Sequence, residues 1–185
     1  MEKKYELTDE IIIVNNHTLH RIRALRDFSD VKSGYIGGFI ESEDNLSQED
    51  NCWVYDGAKV FGNAYVHDNA KVCDNAKVYD NAKVYDNAEV YGIAEVYGIA
   101  KVCGEAIIKS NSDYIIFKNW WSSGRFFTWT KSNNMWKVGC FFGTAQELVD
   151  KAYKDSEESG REYQRIVNYV QDILGLPHIE PNHNN

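Results

Sequence analysis

At 185 residues and 43% hydrophobic content, the chain is long enough for one domain with a core, or for a repeat body with attachments. Its formal net charge of −8 is unevenly placed: residues 36–110 carry thirteen acids and six bases, residues 1–35 six of each, and residues 111–185 nine against eight. This disfavours direct binding to a nucleic-acid backbone, which needs a basic patch, and no apolar run reaches the length of a membrane span.

Residues 1–35 read as an N-terminal β-hairpin or cap. Ile11-Ile12-Ile13-Val14 is a strand, Asn15-Asn16 a tight turn and Thr18-Leu19-His20-Arg21-Ile22 the returning strand. His17 and His20 read as surface or packing residues, because no cysteine or carboxylate cluster accompanies them. The opening Met1-Glu2-Lys3-Lys4-Tyr5 lacks the plan of a secretory signal, so the expected compartment is the cytoplasm. Four cysteines without CxxC spacing, Cys52, Cys73, Cys103 and Cys140, fit reduced thiols.

Residues 36–110 are organised in sixes. From Val54 the units are VYDGAK, VFGNAY, VHDNAK, VCDNAK, VYDNAK, VYDNAE, VYGIAE, VYGIAK and VCGEAI. A fixed short period of this strictness marks a repeat architecture, and hexapeptide periods mark a parallel β-helix. Ala and Val, two apart, share one strand face and must point inward; the residues between and after them point outward. Asp-Asn and Gly-Asn pairs sit where the backbone turns, where Asn, Asp and Gly tolerate positive φ. Three such sides make a coil of eighteen residues, and the body holds about four coils. Gly38, Asp44 and Asp50 continue the phase upstream, with Ser42 and Gln48 in place of Val, as an atypical capping segment.

Residues 111–176 form a C-terminal α+β unit. Tyr114–Phe117, Arg125–Thr130 and Met135–Cys140 read as a three-stranded meander with turns at Ser122-Ser123-Gly124 and Ser132-Asn133-Asn134. Thr144 and Glu147 make a capping box that starts a first helix, running to about Lys154. A second runs from near Glu158 to Gly175, with Tyr163, Ile166, Val167, Val170, Ile173 and Leu174 on one face. Residues 177–185 read as a flexible tail. The fold class is therefore mainly β: a hairpin, a short three-sided parallel β-helix, then three strands and two helices.

The V-x-[DG]-N-A-x repeats resemble the left-handed β-helix of the hexapeptide-repeat superfamily, and the left-handedness is what that resemblance implies. More narrowly, Leu19-His20-Arg21-Ile22-Arg23-Ala24-Leu25, Gly37-Gly38-Phe39-Ile40-Glu41-Ser42-Glu43, Asn51-Cys52-Trp53-Val54 and Gly139-Cys140-Phe141-Phe142-Gly143-Thr144 resemble a group of phage and prophage proteins of polymer-forming-cytoskeletal-like type. The resemblance covers nearly the whole chain and implies the cytoplasm of a host cell. Hexapeptide acyltransferases place a catalytic His beside a loop that interrupts the coils; here His67 is alone in the body and no loop interrupts Val54–Lys109. Three zinc-binding His are lacking too. No catalytic residue, metal or cofactor is expected. His67 and Cys103 share a side but lie two coils apart, about 9–10 Å, beyond hydrogen-bond reach.

The outward columns carry the remaining signal. Residues eighteen apart stack, giving Phe61–Tyr79–Tyr97, Tyr55–Cys73–Tyr91 and His67–Tyr85–Cys103. Asp50, Asp68 and Asp86 align, as do Asp44, Gly62 and Asp80, and Asp56 and Asp74. The plain reading is aromatic stacking and turn chemistry. The functional one is a partner surface formed by Asp50, Asp68, Asp74, Asp80, Asp86, Tyr79, Tyr85, Tyr91 and Tyr97, with the carboxylates imitating a phosphate track. Trp120, Trp121, Arg125 and Phe126 form a second candidate interface, against core packing as the alternative. The expected function is a non-enzymatic binding protein, most concretely a DNA-mimicking inhibitor of a host defence nuclease or CRISPR-Cas surveillance complex (an anti-CRISPR). A structural homo-oligomer joined through the C-terminal unit or the β-helix faces is the alternative, and a hexapeptide acyltransferase the third.

Overall fold

The structure, a computed structural model, describes residues 2–121 and 124–182. The chain divides into two compact units, one of Met1–Ile115 with Thr130–Asn133, the other of Ile116–Trp129 with Asn134–Asn185.

The first unit opens with β1 (Tyr5–Val14) and β2 (His17–Ala24), an antiparallel hairpin whose turn residues Asn15 and Asn16 have φ of 50° and 66°. β3 (Ile36–Ile40) pairs antiparallel with β2 and parallel with the first coil. Ten two-residue strands follow: β4 (Trp53–Val54), β5 (Lys59–Val60), β6 (Tyr65–Val66), β7 (Lys71–Val72), β8 (Lys77–Val78), β9 (Lys83–Val84), β10 (Glu89–Val90), β11 (Glu95–Val96), β12 (Lys101–Val102) and β13 (Ile107–Ile108). They stack into three parallel sheets, in the orders β3-β5-β8-β11, β4-β7-β10-β13 and β6-β9-β12, which make a three-sided solenoid of about four turns. The eighteen-residue register is direct, with Lys59 opposite Lys77 and Val60 opposite Val78.

The hexad explains this geometry. The Val and Ala side chains of the repeat are wholly buried, and such small residues let three backbones approach one axis. Asp56, Asp68, Asp74, Asp80 and Asp86 hold φ between 47° and 60° at the corners, and Gly62, Gly92, Gly98 and Gly104 hold 67–70°. Each coil's N–H groups donate to carbonyls of the next coil, as from Lys59 to Ala76 (2.9 Å). In the last coil two such donors are met by side chains: Glu95 N–H by Asn111 Oδ1 (2.8 Å) and Ile107 N–H by Ser132 Oγ (2.7 Å). At the other end the buried Asn45 side chain accepts from the Glu41 and Ser42 N–H groups and donates to the carbonyls of Gly62 and Ala64.

Two features anchor the N-terminal segment. Trp53 is wholly buried between the rings of Tyr5 (6.0 Å) and Phe28 (5.3 Å). Lys4, also wholly buried, donates from Nζ to the carbonyls of Glu49 (2.8 Å) and Cys52 (3.0 Å), and burial holds its pKa below the usual lysine value. A Cβ on Gly38 would lie 2.5 Å from the Ala58 carbonyl oxygen, so only glycine lets β3 lie against the first coil.

In the second unit lie most of β14 (Tyr114–Lys118) and β15 (Phe126–Thr130), with β16 (Met135–Val138) and β17 (Phe141–Gly143), in the order β14-β15-β16-β17. The sequence suggests three strands; the fourth, β17, is three residues long and follows a tight turn at Gly139 (φ 58°), too short for an alternation signal. The turn expected at Ser122-Ser123-Gly124 falls partly on Ser122 and Ser123, outside the described residues. Helix α1 (Ala145–Asp155) starts at the expected capping box, with Glu147 Oε2 accepting from the Thr144 N–H at 2.8 Å. Ser156 ends α1 and caps α2 (Glu157–Leu174), and Gly160 lies flat against the Tyr153 ring. The segment after α2 runs back along the helices, where the Gln164 amide donates to Ile179 O (2.7 Å) and the Asn182 amide to Asp150 Oδ2 (2.7 Å). Among the described residues no helix is long and apolar enough to cross a membrane.

Candidate interaction surfaces

The aromatic column on the β3-β5-β8-β11 side is tightly regular. Phe61 and Tyr79 stack at 5.1 Å with planes 4° apart, and Tyr79 and Tyr97 at 5.3 Å and 11°. Phe61 is buried under Leu19 and Phe39, Tyr79 is half-buried and Tyr97 is 43% exposed, so the column emerges from the hairpin toward the last coil. The Tyr79 hydroxyl donates to Glu95 Oε2 (3.2 Å); burial, then that carboxylate, pushes its pKa up to about 12. Glu95 is held below the usual glutamate value by its hydrogen bond from Lys77 (2.8 Å).

The other two columns are more enclosed. Tyr85 is half-buried, stacked on His67 at 4.9 Å and hydrogen-bonded to Cys103, and burial raises its pKa. His67 lies between Tyr65 (4.8 Å) and Tyr85, with Nδ1 3.1 Å from Asp68 Oδ2. Tyr55 donates to Asp30 (2.8 Å), and Lys109 lies over the half-buried Tyr91 ring. Burial pushes the Cys73 thiol of that column up to about 11. All four cysteines are free thiols.

The aspartates do more than turn the chain. Asp74 Oδ2 accepts from Gly92 N–H (2.9 Å), Asp80 Oδ2 from Gly98 N–H (3.0 Å), Asp86 Oδ2 from Gly104 N–H (2.9 Å) and Asp68 Oδ2 from Asp86 N–H (3.2 Å). Each links its corner to the corner one coil on. The asparagines beside them form ladders, Asn51 to Asn69 to Asn87 and Asn63 to Asn81, at 3.0–3.2 Å. Asp50, Asp74 and Asp80 are exposed, and Asp68 and Asp86 half-buried. These four carboxylates thus bond to the next coil as well as turning the chain.

Sequence reasoning passed over Ile93 and Ile99, which take the place of asparagine in the two YGIA hexads. Ile93 is 80% exposed. The signal was available: an apolar side chain at an outward corner position departs from the repeat.

In the second unit Trp120 is 81% exposed, and Trp121 is half-buried against Tyr163 at 5.9 Å. Arg125 is exposed, as is Phe126, whose ring lies under Lys118. Trp120 and Trp121 line an open cleft of about 340 Å³ with Phe117, Lys118, Ile166 and Tyr169, whereas Arg125 borders a different, small hollow with Val138 and Tyr163. Among the described residues no group of three or more His, Cys, Asp or Glu is placed to hold a metal ion.

Comparison with known protein families and with curated proteins finds no match.

Proposed function

We propose that the chain is a non-enzymatic protein-binding module of the phage hexapeptide-repeat type. It acts as an inhibitor of a host defence nuclease or CRISPR-Cas surveillance complex through the outer surface of the solenoid. The observation that carries this reading is the continuous Phe61–Tyr79–Tyr97 stack, rigidly held and increasingly exposed toward Tyr97, flanked by the exposed carboxylates of Asp74 and Asp80. Preordered tyrosines supply contact area at little entropic cost, the property that places them in binding hot spots. One oxygen of each aspartate serves the coil; the other is available to a basic groove. The resemblance of the flanking segments Gly37–Glu43 and Gly139–Thr144 to phage and prophage proteins is what suggests the host-defence setting.

The test is affinity capture from host lysate with the intact chain and with Asp74→Asn/Asp80→Asn, which keeps the corner geometry and removes two charges. The reading expects one defence component to be captured, competed by duplex DNA, and lost or weakened at least about tenfold in the variant at low salt. Capture of no specific component, or equal capture by the variant, overturns it.

A further inference from the structure

The N-terminal hairpin ends its sheet on an edge that no other strand covers among the described residues. β1 is the outermost strand of its sheet, in the order β1-β2-β3-β5-β8-β11. No proline blunts it, and Ile11 and Ile13 are 52% and 73% exposed. The turn fixes which backbone groups face outward. Asn15 and Asn16 both have positive φ, so the two-residue loop closes on a hydrogen-bonded Val14–His17 pair. Bonded and non-bonded pairs alternate along an antiparallel ladder, so Ile12–Leu19 is the next bonded pair. The N–H and C=O groups of Ile11 and Ile13 therefore point away from β2, into the open edge.

We propose that two copies join through antiparallel β1–β1 pairing centred on Ile12. In that register Ile11 faces the second copy's Ile13 and Ile13 faces its Ile11. The outward backbone groups of these residues then meet as two bonded pairs, giving four N–H···O=C bonds. The same register puts the four exposed isoleucine side chains on one face as direct cross-strand neighbours. It sets Glu10 opposite Val14 and Asp9 opposite Asn15, so no acid faces an acid. A shift by one residue places outward groups against inward ones and moves the isoleucines to opposite faces. The bulge between Leu7 and Ile11 confines the pairing to the apolar end. The interface is isologous, so it closes as a dimer and leaves no edge for polymerisation. A single short strand from each copy makes the contact, so the dimer is expected to be reversible and concentration-dependent.

Sedimentation velocity of the full chain across about 1–300 μM is expected to show a concentration-dependent monomer–dimer equilibrium. Ile13→Pro removes an edge donor without touching the β1–β2 ladder, and Ile13→Lys places a charge on the edge; each is expected to raise the dimer dissociation constant at least about tenfold. Unchanged thermal melting shows that the variants fold. In a Cys140→Ser background, which removes the exposed thiol, Ile12→Cys is expected to form an intermolecular disulfide, because non-bonded pairs place Cα atoms about 4.5 Å apart. Ile13→Cys is expected not to. A wild-type monomer throughout the range, variants that dimerise as well as the parent, or cross-linking through residue 13 rather than 12 would each overturn the proposal.

Discussion

Replacing Asp80 separates the two roles of a corner aspartate. Its backbone is left-handed (φ 60°) and its carboxylate accepts the Gly98 N–H at 3.0 Å. Asp80→Asn keeps a side chain that tolerates this conformation and an oxygen that accepts the same bond, so its cost is at most about 0.5 kcal/mol. Asp80→Gly keeps the conformation and loses the bond, which as an exposed link contributes about 0.5–1.5 kcal/mol. Asp80→Ala loses the bond and adds the left-handed penalty of about 1–2 kcal/mol, for a total of roughly 1.5–3.5 kcal/mol. Urea unfolding followed by far-ultraviolet circular dichroism measures all three against the parent. The expected order of midpoints is Asn, then Gly, then Ala, with the m-value unchanged. An alanine variant as stable as the parent, or a glycine variant as damaged as alanine, would refute the division of labour.

Three further outcomes follow from the first unit. Trp53→Ala, emptying a site walled by Tyr5 and Phe28, is expected to cost about 3–5 kcal/mol in denaturant titration, and Trp53→Phe much less. Gly38→Ala forces a methyl to 2.5 Å from the Ala58 carbonyl, so it is expected to lower the thermal midpoint by several degrees through a penalty of about 1–3 kcal/mol. Glu95, whose pKa is depressed by the Lys77 hydrogen bond, contributes stability that is present above the unfolded glutamate pKa of about 4.3 and lost as pH falls below it. Because the pair is about one-third exposed, the contribution is under about 1 kcal/mol. Glu95→Gln is expected to flatten the acid limb of the stability–pH curve, and an unchanged limb would exclude the pair as its source.

The inward Val-Ala period and the corner residues made the three-sided solenoid legible, because a side chain's inward or outward direction in a strand is fixed by parity alone. The capping box at Thr144 and the apolar face of α2 were legible for the same kind of reason: the signal is local. What escaped depends on neighbours distant in the chain. That Asp74 Oδ2 meets the Gly92 N–H rather than solvent follows from coil stacking, and the hexad records only that Asp suits a turn. That Lys4 is buried against the carbonyls of Glu49 and Cys52 depends on where β1 lands on the first coil. The outward columns were correctly aligned by counting eighteens, yet their enclosure differs. Tyr55 and Tyr85 are tied down by Asp30 and Cys103, whereas Tyr97 is the freest member of its column.

In the last two coils the repeat itself changes. Upstream, the asparagine corners bond to one another in ladders, and the acidic corners bond to the coil below. At Ile93 and Ile99 the repeat abandons asparagine, and Ile93 stands 80% exposed although an asparagine occupies the same corner one coil earlier, at Asn75. An exposed β-branched side chain gives the coil no hydrogen bond and little burial. It stands beside β11, which Tyr97 follows directly. Ile93→Asn and Ile99→Asn restore the repeat, so they are expected to leave stability within about 0.5 kcal/mol of the parent. If this corner is part of the binding surface, Ile93→Asn lowers partner affinity by about 1–2 kcal/mol or more, five- to thirty-fold in a titration. Ile99→Asn, at a less exposed corner, lowers it less. A loss of stability without a loss of affinity would assign Ile93 to the fold and remove it from the recognition surface.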